Sequence, residues 1–405
     1  MERYSEYKDS GIQWIGEIPS HWKVVPIKRI AYLQSGDGIK PDDFTDEGYP
    51  VFGGNGFRGY TSKYTNEGDY ALIGRQGALC GNINYASGKF FATEHAIVVY
   101  PLHNEPTRWL GEVLRTANLN RLSMTAAQPG LAVSVIKKEF IPVPPLSEQK
   151  AIVDFLDTQT SRIDSFIANV EREIELLGEA KQRIIADAVT KGLKKDVEMK
   201  DSGISWCKKI PTHWEQKRIA SIFSSKPENN SDFKFKHAYK FNYGTIVPKN
   251  EIGNPDEYRE IYEKYSVVKK DDIMINGLNL NYDFISQRVA IVPDDGIITS
   301  AYLVMRPKNT IIPMYYCYLF KAMDSMKMFH GMGTGIRLTL SFQEIKKYLV
   351  PIPPIEEQQA IVDFISQKTS QIDALISSLS QQITSLKEYK QRLISDVVTG
   401  QIKVC

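Results

Sequence analysis

The stretch PVPPLSEQKAIVDFL (Pro142–Leu156) returns in the same chain, with few changes, as PIPPIEEQQAIVDFI (Pro351–Ile365). The two copies align without a gap for about fifty residues, and about half of the positions are identical. A second stretch is also repeated, because KDSGIQWIGEIPSHW (Lys8–Trp22) returns as KDSGISWCKKIPTHW (Lys200–Trp214). The chain therefore reads as a tandem duplication with two diverged variable parts. Two copies are too few for a solenoid and favour a pseudo-twofold arrangement.

Each copy of the longer repeat predicts a long helix. After the double proline, apolar residues recur at steps of four and three, as in a coiled-coil seam. We expect a helix from about Ala151 to Thr190 in the first copy, on the order of 55–60 Å long. The seam consists of Ile163, Ile167, Val170, Ile174 and Leu177 in the first copy and Ile372, Ile376, Leu379, Ile383 and Leu386 in the second.

Three features of these helices lead to further expectations. Ser147 is predicted as the N-cap of the first helix, and Glu148 is placed to complement the helix dipole. Lys181 and Lys390 continue the two seams. We expect their side chains to extend towards solvent, and the alternative is that they fix the register of the helices at a cost in stability. Because a domain of roughly 150 residues separates the helices, we expect them to pair antiparallel.

The variable parts predict compact α+β domains. Short strand-like runs alternate with Gly and Asn turns, and short helices are expected at about Thr107–Leu122 and Met314–Met328. The predicted fold class is α+β, with two globular domains separated by two long helices that form an antiparallel coiled coil. The predicted domains are residues 1–141, a helix region 142–199, residues 200–350 and a second helix region 351–405.

Length and composition exclude several classes of protein. A chain of 405 residues with 42% hydrophobic and 24% charged residues is typical of a multidomain globular protein. No apolar run is long enough to span a bilayer, so no membrane partner is expected, and the lack of a signal-like start favours a cytoplasmic location. The net charge of residues 200–350 is +6, which allows nucleic-acid binding without requiring it.

No known catalytic pattern occurs in the sequence. The four cysteines are far apart, so neither a disulfide framework nor a zinc site is expected. The glycine-rich stretches FGGNGFRG (Phe52–Gly59) and GMGTG (Gly331–Gly335) do not lie between a strand and a long helix, which phosphate binding requires. We interpret them as tight turns or mobile loops. The chain is therefore predicted to be non-catalytic, with no metal and no cofactor of its own.

The turn-rich segments contain polar residues of the types that form hydrogen bonds with DNA bases. Arginine pairs with guanine through two hydrogen bonds, and Asn or Gln pairs with adenine in the same way. Any one of these residues could equally well cap a turn or face water. The candidate DNA-binding residues are Arg75, Gln76, Asn82, His95 and Gln128 in the first half and Asn276, Asn279, Asn281, Gln287, Arg288 and Arg337 in the second.

The repeated motifs resemble those of one family. The KDSGIxW…IPxHW opening and the PxPPxxEQxAIVDF helix start are similar to those of the DNA-specificity subunits of type I restriction-modification systems. The stretches YPVFGGNGFRGY (Tyr49–Tyr60) and IGRQGALCGN (Ile73–Asn82) are similar to the target-recognition domains of that family. The resemblance covers nearly the whole chain.

The resemblance implies two target-recognition domains, each reading one half of a split site in double-stranded DNA, with the paired helices as a spacer. It also implies two methyltransferase subunits that bring S-adenosylmethionine, and restriction subunits that bring ATP and Mg²⁺. An alternative is a coiled-coil scaffold whose heads bind protein partners. A third reading, a self-sufficient nuclease or methyltransferase, is disfavoured by the missing catalytic motifs.

Overall fold

The structure, a computed structural model, describes residues 2–77, 79–123, 130–204, 206–225, 228–249, 254–280, 287–308, 311–330, 332 and 339–404. These residues belong to two compact units. Unit 1 consists of Met1–Glu171 with Ser380–Cys405, and unit 2 consists of Arg172–Leu379. Each unit contains one variable part of the sequence and a segment of each long helix. The sequence-based domain boundaries stay a prediction.

Unit 1 is built mainly from short strands. Its helices are α1 (Thr107–Thr116), α2 (Val133–Ile136) and the first part of α3 (Leu146–Lys191), with 3-10 turns at Ile27–Arg29, Pro41–Asp43 and Leu119–Leu122. Its strands are β1 (Tyr7–Asp9), β2 (Glu17–Pro19), β3 (Lys23–Pro26), β4 (Ala31–Ser35), β5 (Phe44–Thr45), β6 (Tyr49–Gly53), β7 (Gly56–Thr61), β8 (Asn66–Glu67), β9 (Tyr70–Gly74), β10 (Ile83–Ala86), β11 (Lys89–Ala92), β12 (Ala96–Pro101) and β13 (Phe140–Val143).

Two sheets form the body of unit 1. One has the order β10-β9-β12-β4 and is antiparallel throughout. The other has the order β5-β7-β6-β11-β8, with β6 and β11 parallel. Strands β9 and β12 are almost completely buried because they are apolar on both faces, and α1 packs Trp109, Leu110 and Val113 into the same core.

Unit 2 has the same kinds of elements. Its helices are α4 (Ile219–Ile222), α5 (Arg259–Tyr262), α6 (Pro313–Ser325), α7 (Phe342–Ile345) and part of α8 (Ile355–Val398), with a 3-10 turn at Pro255–Tyr258. Its strands are β14 (Met199–Ile204), β15 (Cys207–Pro211), β16 (Glu215–Arg218), β17 (Phe223–Ser224), β18 (Tyr239–Asn242), β19 (Thr245–Pro248), β20 (Ser266–Val268), β21 (Ile273–Ile275), β22 (Val289–Ile291), β23 (Gly296–Ile298), β24 (Leu303–Pro307) and β25 (Leu349–Ile352).

The two units repeat one plan. The order β22-β21-β24-β17 in unit 2 corresponds, element for element along the chain, to β10-β9-β12-β4 in unit 1. In each unit the strand before the long helix pairs antiparallel with an early strand, β13 with β3 and β25 with β16. The predicted duplication is therefore a duplication of fold. The predicted short helices are confirmed as α1, which ends earlier than expected, and α6.

The long helices α3 and α8 have 46 and 44 residues. They begin immediately after the double prolines, about five residues earlier than predicted, so a straight helix of this length extends about 69 Å. The prediction that Ser147 is the N-cap is wrong, because α3 already begins at Leu146 and Gln149 N–H bonds to the carbonyl of Pro145. Proline is favoured before a helix because it lacks an N–H that would need a partner.

The helix segments run antiparallel within each unit. In unit 1, Lys390 of α8 lies against Asp164 of α3, and in unit 2, Lys181 of α3 lies against Asp373 of α8. The burial pattern agrees with the predicted seam, since its apolar residues are shielded while most of the residues between them are exposed. Each amino group bonds to both oxygens of an aspartate that is more than half exposed, so the two lysines reach the solvent-exposed edge of the seam and form ion pairs there.

Both helices contribute to the core of each unit. In unit 1, Ile152 and Leu156 of α3 and Leu393 and Val397 of α8 belong to the same apolar core as Trp22 and Trp109. In unit 2, Val189 of α3 and Ile361 and Ile365 of α8 pack with Trp214 and Phe320. The helix ends are therefore part of the globular cores. Within the described ranges, no helix has the length and apolar character needed to cross a membrane.

Candidate nucleic-acid interface

Three loops of unit 1 converge on an open cavity of about 330 Å³. The loops are the β6–β7 hairpin turn, the segment after β9 and the turn between β11 and β12. Of the FGGNGFRG stretch, only Gly54 and Asn55 form the tight turn, because the other six residues belong to β6 and β7. The cavity is lined by Gly54, Asn55, Phe57, Arg58, Gln76 and His95.

Glycine allows these loops to approach one another. A Cβ atom on Gly74 would lie 2.3 Å from the carbonyl oxygen of Gly54, which no real side chain can do. The backbone N–H of Arg75 donates to the carbonyl of His95 at 2.8 Å, and that of Leu131 donates to the carbonyl of Arg75 at 2.9 Å. The main chain thus holds the loops together and leaves side chains to face the cavity.

The predicted residues of unit 1 differ in their surroundings. Gln76 and His95 line the cavity together, and His95 Nε2 lies 3.3 Å from a carboxylate oxygen of Glu94. Arg75 is half-buried, with its guanidinium 3.5 Å from the backbone carbonyl of Glu94. Asn82 is also half-buried, and its backbone carbonyl accepts a hydrogen bond from Gly74 N–H. The structure therefore brings two of the candidates to the cavity.

Sequence analysis missed Asn55, Phe57 and Arg58, which line the same cavity. All three are exposed, and the rings of Phe57 and Tyr60 are in edge contact with centroids 5.1 Å apart. Exposed aromatic and basic side chains on one strand are unusual in the surface of a sheet. The stretch GFRGY (Gly56–Tyr60), in which two aromatic residues and an arginine lie next to glycines, was a signal that could have drawn attention to this strand.

Arg288, a candidate of unit 2, is fully buried and is therefore wrong as a base-reading side chain in this structure. One guanidinium nitrogen donates to the carbonyls of Asn276 and Leu278 at 3.0 and 2.7 Å, and the other lies 3.4 Å from that of Asn279. Its backbone N–H donates to Asp324 at 2.8 Å. Arginine suits this role because its donors spread over several acceptors in one plane.

The loop that Arg288 holds carries two other candidates. Asn276 caps a turn, since its side-chain oxygen accepts from Leu278 N–H at 3.2 Å, and Asn279 has a left-handed backbone with φ of 53°. Gln287 is exposed and lines a different cavity, together with α6 and the long-helix segments of unit 2. The remaining candidates, Gln128, Asn281 and Arg337, lie outside the described residues, as does most of the GMGTG stretch.

The two repeated stretches, the one that ends in His-Trp and the one that begins with the double proline, contact each other at the start of each long helix. Trp22 Nε1 donates to one oxygen of Glu148 at 2.9 Å, and His21 Nε2 lies 2.6 Å from the other. In unit 2, Trp214 and His213 contact Glu357 in the same way, at 2.9 and 2.7 Å. The HW pair therefore ties the opening of each unit to the first turn of a long helix, where a carboxylate also complements the helix dipole.

The pKa of the Glu357 carboxyl is shifted in the folded protein. Burial by itself raises the pKa of its carboxyl, but the hydrogen bonds from Trp214 and His213 stabilise the anion more strongly. The net pKa lies below the usual value for glutamate, so the carboxylate is charged in the folded protein at neutral pH.

The next residue of the motif, Gln149 or Gln358, is also buried. Each side-chain amide donates to the carbonyl of the first proline of the pair, Pro144 at 3.0 Å and Pro353 at 2.8 Å. Gln358 also accepts from Ile312 N–H, the N-cap of α6. In unit 1 the corresponding N-cap is Pro106, which has no N–H, and the Gln149 oxygen has no partner among the described residues.

These features define a protein with two α+β units that share a plan and differ in their loops. Comparison with known proteins identifies the family to which the chain belongs. The family model of the type I restriction modification DNA specificity domain matches twice, at residues 19–176 and 211–385. Because these two matches cover most of the chain, the protein belongs to that family.

Several curated relatives carry names that agree with the family. The chain is 45% identical over 118 residues to the type I restriction enzyme EcoprrI specificity subunit and 24% identical over 312 residues to the EcoBI specificity subunit, both of Escherichia coli. The alignments span 28% and 71% of this chain, and only 29% and 63% of those relatives. Identity to the MjaVIII specificity subunit of Methanocaldococcus jannaschii is 25%, across 96% of this chain and 94% of the relative.

Solved structures share the fold. A chain from a structure of a type I R-M system superimposes with a TM-score of 0.69 at 15% identity, covering 95% of this chain and 99% of that one. The HsdS subunit of Thermoanaerobacter tengcongensis gives 0.52 at 15% identity, over 95% and 98% of the two chains. At this identity the likeness concerns the fold alone.

Proposed function

We propose that this chain is the DNA-recognition subunit of a type I restriction-modification complex, and that each unit reads one half of a bipartite site in double-stranded DNA. The observation that supports the proposal is that the units repeat one plan while their corresponding loops differ. Residues 75–82, between β9 and β10, correspond to residues 276–288, between β21 and β22. The two loops differ in length and side chains, so the two half-sites are expected to differ.

We propose further that the chain supplies no catalytic group. Two methyltransferase subunits would bring S-adenosylmethionine and turn the target adenine out of the duplex. Restriction subunits would bring ATP hydrolysis and Mg²⁺. Support comes from the sequence, which lacks a P-loop and other known catalytic motifs, and from the relatives, which are named as specificity subunits.

Exchange of one recognition domain tests the two-half-site proposal. Residues 1–141 are replaced by the corresponding residues of a relative, and the methylated motif is sequenced in cells that also express the methyltransferase subunit. We expect one half of the motif to change and the other half to stay the same. The reciprocal exchange of residues 200–350 is the control and should change the other half. A simultaneous change of both halves in either chimaera would contradict independent reading.

Insertion of one heptad into both α3 and α8 tests whether the helices set the spacing. Seven residues preserve the seam and add about 10 Å of helix, or about a third of a DNA turn. The methylated motif is expected to have a longer spacer between unchanged half-sites. Insertion into one helix only is the control, since it shifts the antiparallel pairing and should reduce stability. An unchanged spacer in a folded double insertion would contradict the proposal.

A further inference from the structure

Arg58 is the additional residue of a β-bulge in unit 1. Val51 of β6 pairs with Gly59 of β7, and the next residue, Phe52, pairs with Phe57, so that Arg58 has no residue opposite it. In a regular strand Phe57 and Arg58 would point to opposite faces, yet both are exposed. Bulges often redirect a side chain next to a functional site.

The neighbouring strand provides room for the arginine side chain. A Cβ atom on Gly53 would lie 2.5 Å from Cδ of Arg58, so the aliphatic part of the arginine lies directly over the main chain of β6. This places Arg58 in the wall of the cavity with Gln76 and His95. The position of Arg58 therefore depends on both the bulge and the glycine.

The guanidinium of Arg58 lies in the exposed wall of the cavity. Among the residues that the structure describes, none forms an ion pair or a hydrogen bond with it. Arg75, in the same region, lies 3.5 Å from a carbonyl, and Arg288 of unit 2 is fully buried against three carbonyls. The guanidinium of Arg58 can therefore donate hydrogen bonds to an acceptor outside the protein.

We propose that Arg58 is a specificity-determining residue that reads a guanine in the half-site of unit 1. The inference rests on the proposed function and deepens it. A guanidinium forms two parallel hydrogen bonds with O6 and N7 of guanine in the major groove, a pair of acceptors that no other base presents there. Gln76 and His95 lie in the same cavity and would contact the neighbouring positions. A phosphate would accept from Arg58 as well, but without preference for a base.

The test compares Arg58→Ala and Arg58→Lys with the wild-type chain, each expressed in full together with the methyltransferase subunit. The frequency of methylation is measured at every variant of the motif. We expect both substitutions to reduce discrimination between guanine and the other bases at one position of one half-site. The expected reduction is about 5- to 150-fold, which is the discrimination that one bidentate arginine–guanine contact provides. Lysine keeps the charge and loses the two parallel bonds, so it should relax the same position. Arg29→Ala, which removes an exposed arginine outside the cavity, is the matched control and should leave the motif unchanged.

The outcomes separate this inference from the proposed function. If the wild-type complex methylates no defined bipartite motif, the proposed function is wrong. If the wild-type motif is found and both Arg58 variants reproduce it at every position, the inference is wrong while the function stands. A uniform loss of methylation without relaxation of a position would also overturn it, because that result indicates a phosphate contact. Thermal unfolding of each variant confirms that it is folded.

Discussion

The amino group of Lys390 lies 2.6 and 2.7 Å from the two carboxylate oxygens of Asp164, so a lysine of the α8 seam pairs with an aspartate of α3. The same pair occurs in unit 2, where Lys181 of α3 lies 2.6 and 2.7 Å from Asp373 of α8. The two lysines occupy equivalent positions of the repeat, and so do the two aspartates. Each pair favours one antiparallel register of the helix segments within its unit.

A double-mutant cycle on Lys390 and Asp164 should detect this coupling. Asp164→Lys places two cations together and is expected to lower the free energy of unfolding by about 1 kcal/mol, which Lys390→Asp in the same chain restores. Urea unfolding of the four proteins gives the coupling energy. The pair of Lys387 and Glu171, 3.8 Å apart and largely exposed, is the control and should couple by less than about 0.3 kcal/mol. Equal coupling in both pairs would show that the seam position has no special role.

The contact between Trp214, His213 and Glu357 predicts a pH-dependent stability. Because the pKa of Glu357 is lowered in the folded protein, its contribution is present above the unfolded pKa of glutamate and is lost as the pH falls through the folded value. Glu357→Gln should therefore be less stable than wild type at pH 7. The difference should shrink as the pH falls below about 4.

The control for this prediction is Glu356→Gln, which removes a neighbouring exposed carboxylate from the same helical turn. Unfolding by urea is measured for the three proteins between pH 3 and pH 7. A stability difference between Glu357→Gln and wild type that stays constant over this range would mean that the carboxylate charge is not responsible. Comparable loss in Glu356→Gln would assign the effect to the helix dipole alone.

The burial of Arg288 predicts a large loss of stability on truncation. Arg288→Met keeps the aliphatic volume but leaves the part-buried carbonyls of Asn276 and Leu278 without their donors, at a cost of about 3 kcal/mol. Hydrogen exchange should show reduced protection in residues 273–280. Gln287→Ala, at the adjacent exposed position, should change stability by less than about 0.5 kcal/mol. A stable Arg288→Met protein with unchanged exchange would contradict the structural role.

The close approach of Gly74 to Gly54 predicts that the unit 1 cavity requires glycine. Gly74→Ala places a methyl group 2.3 Å from a carbonyl oxygen, so the loops must separate, and we expect a loss of about 2 kcal/mol or more. Gly38→Ala is the control, because nothing lies within 4 Å of its Cβ position. Thermal unfolding compares the two variants with wild type. Equal midpoints for all three would show that the loops can move apart without cost.

Much of this fold could be predicted because its signals are local. The steps of three and four residues from Ile163 to Leu177 require only the period of a helix, and the burial pattern of α3 agrees with them. The double prolines likewise marked the helix starts to within about five residues. Ser147 was misread because the sequence offers a good N-cap residue, whereas the helix begins before it, at Leu146.

The candidate site was only partly predictable. Gln76 and His95 were recognised by residue type, but Arg58 was missed because its exposure depends on a bulge, and a bulge depends on how two strands pair. Arg288 was misassigned for a related reason. The sequence around an arginine in a turn-rich segment does not reveal whether the side chain faces solvent or is buried against carbonyl groups, as Arg288 is.

The sequence by itself determined the duplication, the two helices with their apolar seams and the family to which the motifs belong, because these depend on residue spacing along the chain. Tertiary structure alone decided the pairing of Lys390 with Asp164, the contacts of His21 and Trp22 with Glu148, and the cavity formed by three loops of unit 1. Each of these requires backbones distant in sequence to come within a few ångströms. Packing and main-chain hydrogen bonds set that approach, and no local pattern encodes it.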